Sequence, residues 1–137
     1  MDDGLVEIWQ ADASGHYHHP DDPNHGNADP AFPGFGRAAT AAGGAFSFLK
    51  IKPGIVPAPG GGTQAPHILV SVMARGVMSR CWTRLYFEGE PLNQTDPILQ
   101  LVPAERRETL IARPSGDGTY TFDIVLQGER ETVFFEA

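Results

Sequence analysis

The stretch HILVSVMA, residues 67–74, does most to decide the fold class of this chain. It is nearly all apolar, and a glycine follows it closely at Gly76. A short apolar run of this kind is typical of a strand that is buried on both faces, because a helix usually needs a longer segment. Residues 67–74 are therefore predicted to form an inner strand of a sheet.

Further strands are predicted where apolar and polar residues alternate, or where short apolar runs lie between breakers. These segments are 5–11, 45–52, 82–87, 120–128 and 132–137. Only residues 103–112, PAERRETLIA, have a helical pattern, with Pro103 in the first turn and glutamates early. Two long loops, 12–37 and 53–66, are rich in proline and glycine. The predicted fold is an all-β antiparallel β-sandwich with long loops and one short helix.

The composition limits the number of domains and the class of partner. With 137 residues, 16 glycines and 12 prolines, the chain is expected to form one turn-rich domain. Its 17 acidic and 10 basic residues give a formal charge of −7, which argues against nucleic acid or an anionic membrane as a partner. No apolar run approaches the length of a membrane span. The single Cys81 cannot form an internal disulfide, so the cytoplasm is the expected compartment.

Residues 15–25, GHYHHPDDPNH, have the composition of a metal site. They contain Tyr17 and four of the five histidines, namely His16, His18, His19 and His25. Imidazole, phenolate and carboxylate all bind metal ions, but the ligands are not spaced in pairs, and two prolines prevent a helix here. From this segment alone three interpretations are open: a metal site, the remnant of one, or a solvated polar loop. The loop is the favoured interpretation.

Several segments taken together resemble one known family. They are VEIWQADASGHY, DPAFPGFGRAAT, FSFLKIKPG, APHILVSVMARG, TRLYFEGEP, RRETLIA and YTFDIVLQGERETVFFEA, and they run in order from about Gly4 to Ala137. The series resembles the intradiol ring-cleavage dioxygenases, and within them the alpha-type chains of the enzymes that cleave protocatechuate. The resemblance implies a β-sandwich with a non-haem Fe(III) site, held by two tyrosines and two histidines. It also implies the conversion of protocatechuate and O2 to 3-carboxy-cis,cis-muconate.

Each of the family's four iron ligands can be assigned to a position in this sequence. The first tyrosine, in a GxY context after WQA, corresponds to Tyr17, and the first histidine corresponds to His67. The second tyrosine follows a KPG turn, where KPGIV places Val56. The second histidine of the family's His-Ile-His corresponds to Leu69. The resemblance therefore implies two relic ligands and two positions whose side chains cannot bind a metal.

This loss matches the alpha-type chains of the family, which lack a working iron site. Their role, by resemblance, is to assist substrate binding at the edge of a partner's ferric site through the arginine of an ARG motif. That residue is Arg75 in this sequence. We therefore expect no Fe(III) bound by this chain alone, no activity of the isolated chain, and a catalytic beta-type chain as its partner. An aromatic acid is the expected substrate of the complex, and Arg75 would pair with its carboxylate.

Several alternatives stay open. The loop histidines have no role that the resemblance transfers, although one of them could rebuild a site with Tyr17 and His67. Residues 1–137 are expected to be a single domain that lacks the N-terminal segment of the family. The strand at 5–11 then needs a neighbour from later in the chain or from another molecule, and a dimer or higher oligomer is expected. The rival functions are a stand-alone homo-oligomeric binding module or pseudoenzyme, and an active enzyme with altered ligands.

Overall fold

The structure, a computed structural model, describes residues 4–13, 15, 34–40, 46–47, 52–57, 62–73, 81–116, 119–126 and 129–135. Its strands are β1 (Leu5–Gln10), β2 (Phe35–Ala39), β3 (Val56–Pro57), β4 (Thr63–Gln64), β5 (His67–Met73), β6 (Cys81–Phe87), β7 (Ile111–Gly116) and β8 (Thr119–Thr121). Six of them form one sheet in the order β2-β1-β5-β6-β7-β8, and β3 pairs with β4 in a second, two-stranded sheet. The predicted all-β sandwich class is confirmed.

The neighbours of β1 in the sheet come from this chain itself. It lies antiparallel between β2 and β5, both of which come from later in the chain. On the other side of β5, β6 is also antiparallel, and β6 then pairs with β7 in parallel. Strand β5 is therefore an inner strand, as predicted from its apolar run.

The alternation of side chains gives the six-stranded sheet two different faces. One face carries an apolar core cluster of Val6, Ile8, Ile68, Val70, Val72 and Phe87, with Phe46, Leu85, Ile124 and Leu126 packed against it. The register places Ile8 opposite Val70 and Val6 opposite Val72, so the β-branched side chains of β1 and β5 meet across the ladder. Burial of this cluster fixes the register, because a shift by one residue would turn its side chains to the other face.

The other face carries a second cluster, which contains the candidate site. Its buried members are Ala65, Tyr86, Leu99, Val102 and Leu110. Three 3-10 helices follow β6, at Pro91–Gln94, Leu99–Leu101 and Ala104–Leu110. Their apolar side chains Leu99 and Leu110 pack on Tyr86, so these short helices cover one end of this face.

The helix predicted at 103–112 is shorter and tighter than expected. Residues Ala104–Leu110 form a 3-10 helix with Pro103 as its N-cap, and Ile111 already begins β7. The amide of Arg106 bonds to the carbonyl of Pro103, which is the three-residue spacing of a 3-10 helix. The prediction of helix through 112 was wrong because Ile111 pairs with Tyr86 in the parallel ladder, a tertiary contact that outweighs local preference.

Other boundaries also differ from prediction. The predicted loop 12–37 overlaps β2, whose FGRAA sequence lacks the large apolar residues that mark a strand. The predicted loop 53–66 contains the short β3 and β4. Among the described residues, the predicted strand 120–128 is a strand only through Thr121. The described part of the predicted strand 132–137 contributes one bridge, between Phe135 and Trp82. Of the predicted strand 45–52, only three residues are described, and none of them is in a strand.

Within the described part of the chain, no helix has the length and apolar character that crossing a membrane requires.

Candidate functional site

His67 begins β5 and is almost fully buried, with 2% of its surface exposed. Its Nδ1 lies 2.8 Å from the carbonyl oxygen of Ala65, which only accepts, so Nδ1 carries the proton of the neutral ring. The ring is tilted 38° against that of Tyr86, with centroids 5.9 Å apart. Burial, and then the positive charge of Arg84, lower the pKa of His67 to about 4. His67 is therefore a neutral, oriented imidazole at neutral pH.

The two positions at which the resemblance expects further ligands carry apolar side chains. Leu69 lies two residues after His67 and so points to the same face of β5. In the cross-strand register it stands between Trp9 of β1 and Arg84 of β6. Val56, in β3, is buried. Neither side chain has an atom that can bind a metal ion.

A close backbone contact holds the KPG turn against the segment that precedes Tyr17. The amides of Gly15 and Gly54 both donate to the carbonyl of Asp12, at 3.0 and 2.9 Å. Gly15 has φ +84°, and a Cβ on it would lie 1.9 Å from the carbonyl oxygen of Ile55. Only glycine allows this approach. The contact brings Gly15 next to Ile55, the residue before Val56.

A buried carboxylate, which sequence analysis did not single out, organises the end of this face. Asp96 is fully buried, and its Oδ2 accepts from the amide of Ala65 at 2.8 Å. Its Oδ1 accepts from the Tyr86 hydroxyl at 2.9 Å and from the amides of Ile98 and Leu99 at 3.0 and 2.9 Å. Burial raises the pKa of Tyr86, so its hydroxyl keeps the proton that it donates. The only local signal was an Asp before Pro, which is typical of a turn.

Arg84 links this network to the second sheet. Its Nη1 donates to Oε1 of Gln64 at 2.8 Å and lies 3.5 Å from the hydroxyl of Tyr86. Gln64, in β4, donates in turn to the carbonyl of Pro57 at 3.1 Å. The guanidinium is half-buried and lies close enough to His67 to lower its pKa. Arg84 was also missed from the sequence, since a single arginine in a strand carries no signal by itself.

The described residues around His67 do not fit a ferric centre. No three His, Cys, Asp or Glu side chains among them come close enough together to hold a metal ion. Val56 and Leu69 supply no donor atoms, and the charge of Arg84 has the same sign as that of a metal ion. A ferric site needs several hard anionic or imidazole ligands, and this part of the chain supplies one imidazole. Tyr17, Arg75 and the four loop histidines lie outside the described residues.

The comparisons with known proteins identify the family of this chain. A family model described as "Dioxygenase" matches residues 1–128. The protocatechuate 3,4-dioxygenase alpha chain of Pseudomonas putida is 44% identical over 140 residues, covering 98% of this chain and 67% of the relative. The alpha chain of the same enzyme from Burkholderia cepacia is 39% identical over 143 residues, covering 99% and 69%. This chain belongs to the intradiol ring-cleavage dioxygenase family.

A beta chain of the same kind of enzyme is also similar to this chain. The Burkholderia cepacia protocatechuate 3,4-dioxygenase beta chain is 42% identical over 137 residues, covering 93% of this chain and 58% of the relative. The chain therefore spans about two thirds of the length of the alpha-chain relatives and less of the beta chain. Intradiol dioxygenases depend on iron. The apolar side chains of Val56, in β3, and Leu69, on the same face of β5 as His67, differ from the ligand pattern that the resemblance implies.

Proposed function

We propose that this chain is an alpha-type subunit of an intradiol dioxygenase that acts on protocatechuate. In the assembly a beta-type chain holds the iron, and the complex converts protocatechuate and O2 to 3-carboxy-cis,cis-muconate. The proposal rests chiefly on Val56 and Leu69, which place apolar groups where two iron ligands are expected. The two relatives named as alpha chains support the assignment, and the beta-chain relative supports the kind of partner. The cytoplasm is the proposed compartment, given the lone Cys81.

Arg75 is the residue that we assign to substrate binding. It lies outside the described residues, so its role rests on the ARG motif that follows β5. A guanidinium can donate two parallel hydrogen bonds to a carboxylate, and its charge attracts an anionic substrate. Arg75 would thus select protocatechuate, which has a carboxylate, over catechol, which lacks one.

The test is to express this chain, with an affinity tag, together with a beta-type chain that carries a complete ferric site. The proposal expects both chains to purify together, with iron and with protocatechuate 3,4-dioxygenase activity. Arg75→Ala should then lower kcat/KM for protocatechuate by roughly 10- to 150-fold, the equivalent of about 1.5–3 kcal/mol for charge-assisted hydrogen bonds. The rate with catechol should change little. Arg113→Ala is the matched control, because Arg113 is exposed on β7 and pairs with Glu108 at 3.7 Å.

Two results would contradict the proposal. If Arg75→Ala leaves the preference for protocatechuate over catechol unchanged, Arg75 does not bind the substrate carboxylate. If the tagged chain purifies without the beta-type chain, as a homo-oligomer, the rival function of a stand-alone binding module replaces the proposed one.

A further inference from the structure

The hairpin formed by β7 and β8 extends beyond the rest of the sheet. Among the described residues, β7 pairs with β6 through Ile111 and Ala112, and from Arg113 onward it pairs with β8 alone. The described hairpin residues from Arg113 to Thr121 are all exposed. A two-stranded ribbon that is exposed in this way has little stability of its own in water. The hairpin would therefore gain stability from a further neighbour.

Pro114 determines which backbone groups of β8 point away from the hairpin. It lies opposite Tyr120 in the antiparallel ladder. A hydrogen-bonded antiparallel pair exchanges two N–H···O bonds, and proline has no N–H to donate. Pro114 and Tyr120 therefore form a non-hydrogen-bonded pair, in which the N–H and C=O of each residue point away from the other strand. Because β8 is the last strand of the six-stranded sheet, those groups of Tyr120 lie on its outer edge.

Two features that usually protect an edge strand, charge and proline, are missing from β8. Its sequence is TYT, and its three side chains are exposed, uncharged and of types that are favoured in strands. The irregularity of the hairpin lies in β7, between Pro114 and Gly116, and so leaves the outer edge of β8 regular. The ring of Tyr120 packs edge-on against Phe87, with centroids 5.0 Å apart. Strand β8 thus offers an ordered, uncharged edge to another strand.

The sequence of β8 is self-complementary, which favours a second copy of this chain as the neighbour. A two-fold axis at Tyr120 would place this residue opposite Tyr120 of the second copy, and Thr119 opposite Thr121. Aromatic pairs and threonine pairs both stabilise antiparallel strands when they lie opposite each other. The outward N–H and C=O groups of the two Tyr120 residues would exchange two hydrogen bonds. No like charges would meet within β8.

We propose that β8 is an interaction edge at which two copies of this chain pair antiparallel about a two-fold axis at Tyr120, so that their six-stranded sheets join. The paired strands are short and each chain has a formal charge of −7, so the dimer should dissociate on dilution and become stronger as salt screens the charge. The inference does not rest on the proposed subunit role, because it concerns copies of this chain without a beta-type chain.

Sedimentation equilibrium of the full chain, over a range of concentrations, tests this edge with two charge variants. Tyr120→Lys and Tyr120→Glu each place like charges opposite one another at the two-fold axis, so each should weaken dimerisation at least about tenfold. An equal mixture of the two variants should restore dimerisation, because lysine then faces glutamate. Gln94→Lys and Gln94→Glu are the matched controls, since Gln94 is exposed in the first 3-10 helix, and they should dimerise like wild type.

A cysteine variant keeps the test decisive if the charge variants fail to fold. Residues in a hydrogen-bonded antiparallel pair have Cα atoms about 5.5 Å apart, which is within the span of a disulfide. Tyr120→Cys should therefore form a disulfide-linked dimer in oxidised glutathione. Wild type, which has Cys81 alone, and Gln94→Cys should remain unlinked under the same conditions.

Each of these readouts can overturn the proposal. It fails if wild type is a monomer at every concentration, or if the folded charge variants dimerise as strongly as wild type. It also fails if their mixture stays monomeric, or if Tyr120→Cys is linked no faster than Gln94→Cys. Linkage of Tyr120→Cys to a co-expressed beta-type chain, without any dimer of the isolated chain, would assign the edge to that partner and overturn pairing between copies.

Discussion

At the scale of single residues, His67 combines burial with a fixed hydrogen bond. Its ring is enclosed at the start of β5, and Nδ1 faces the carbonyl of Ala65. Burial and the charge of Arg84 lower its pKa to about 4, against 6.5 for an exposed histidine. In the unfolded chain the same ring takes up a proton once the pH falls below about 6.5. The difference makes His67 a source of pH-dependent stability.

The predicted consequence is a loss of stability between about pH 6.5 and pH 4. In this window the unfolded state binds one more proton than the folded state, so the free energy of unfolding decreases as the pH falls. The full effect of His67 is roughly 3 kcal/mol, which corresponds to the difference between a pKa of 6.5 in the unfolded chain and about 4 in the folded one. Urea unfolding at a series of pH values measures it.

The control for this prediction is His67→Gln, which keeps a polar side chain but does not titrate. Its absolute stability will differ, so the quantity to compare is the slope of the unfolding free energy against pH. Between about pH 6.5 and pH 4, the slope for the variant should be smaller than that for wild type by the contribution of one proton. Identical slopes in the two proteins would mean that His67 does not stay neutral in the folded state.

Gly15 is required by its backbone conformation and by its close contact with Ile55. Alanine at this position would be forced to keep φ near +84° and to place its Cβ 1.9 Å from a carbonyl oxygen. We expect Gly15→Ala to lower the free energy of unfolding by clearly more than roughly 1–2 kcal/mol, which is the effect of an alanine in the left-handed conformation alone. Gly89→Ala is the matched control, because Gly89 has φ +89° but nothing within 4 Å of the added Cβ.

Comparison of the two alanine variants separates backbone strain from steric clash. Both variants hold an alanine in the left-handed conformation, so the difference between their urea midpoints reports the clash with Ile55 alone. If Gly15→Ala is no less stable than Gly89→Ala, the segment before Tyr17 does not lie against the KPG turn in solution.

At the scale of elements, Asp96 connects parts of the fold that are distant in sequence. It joins Ala65, between β4 and β5, to Tyr86 in β6 and to Leu99 at the start of the second 3-10 helix. Asp96→Asn keeps one acceptor oxygen but turns an amide donor toward the amide of Ala65. We expect a loss of about 1–3 kcal/mol in the free energy of unfolding, because two donors then face each other in a buried place.

The measurement for Asp96 is urea denaturation followed by circular dichroism. Asp123→Asn is the control, since it removes the same charge from an exposed residue. The midpoint should fall for the buried variant and stay near wild type for the exposed one. Equal midpoints would show that the hydrogen bond to Ala65 contributes little to the connection between these elements.

At the scale of the whole molecule, the proposed subunit role predicts the properties of the isolated chain. We expect the purified chain to contain substoichiometric iron and to lack the visible charge-transfer colour that ferric tyrosinate gives. We also expect sedimentation velocity to give a dimer or larger species at micromolar concentration, because the relatives named as alpha and beta chains suggest a multi-subunit enzyme. Metal analysis, the visible spectrum and sedimentation of one preparation test these expectations together.

Stoichiometric iron with a visible band would instead support a site rebuilt from Tyr17, His67 and one of the loop histidines. A clean monomer would contradict self-association but would leave assembly with a beta-type chain to the co-expression experiment. The two outcomes are therefore informative about different parts of the proposal.

The candidate site could be predicted only in part from the sequence. Resemblance pointed to His67, Val56 and Leu69 because short motifs carry those positions. It did not point to Arg84 or Asp96. Their importance comes from contacts with Gln64, Tyr86 and Ala65, which are 10 to 31 residues away in the chain. No local pattern encodes such contacts.

The sequence by itself determined the inner strand at β5, the all-β class and the family, because side-chain alternation, apolar runs and motifs are local properties. The tertiary structure alone decided that Phe35–Ala39 is a strand, that Ile111 pairs with β6 in a parallel ladder and does not continue the helix, and that Arg84 lies close to His67. The physical reason is the same in each case. Pairing and burial across the sheet contribute more free energy than the local preference of a few residues, and they depend on which strands become neighbours.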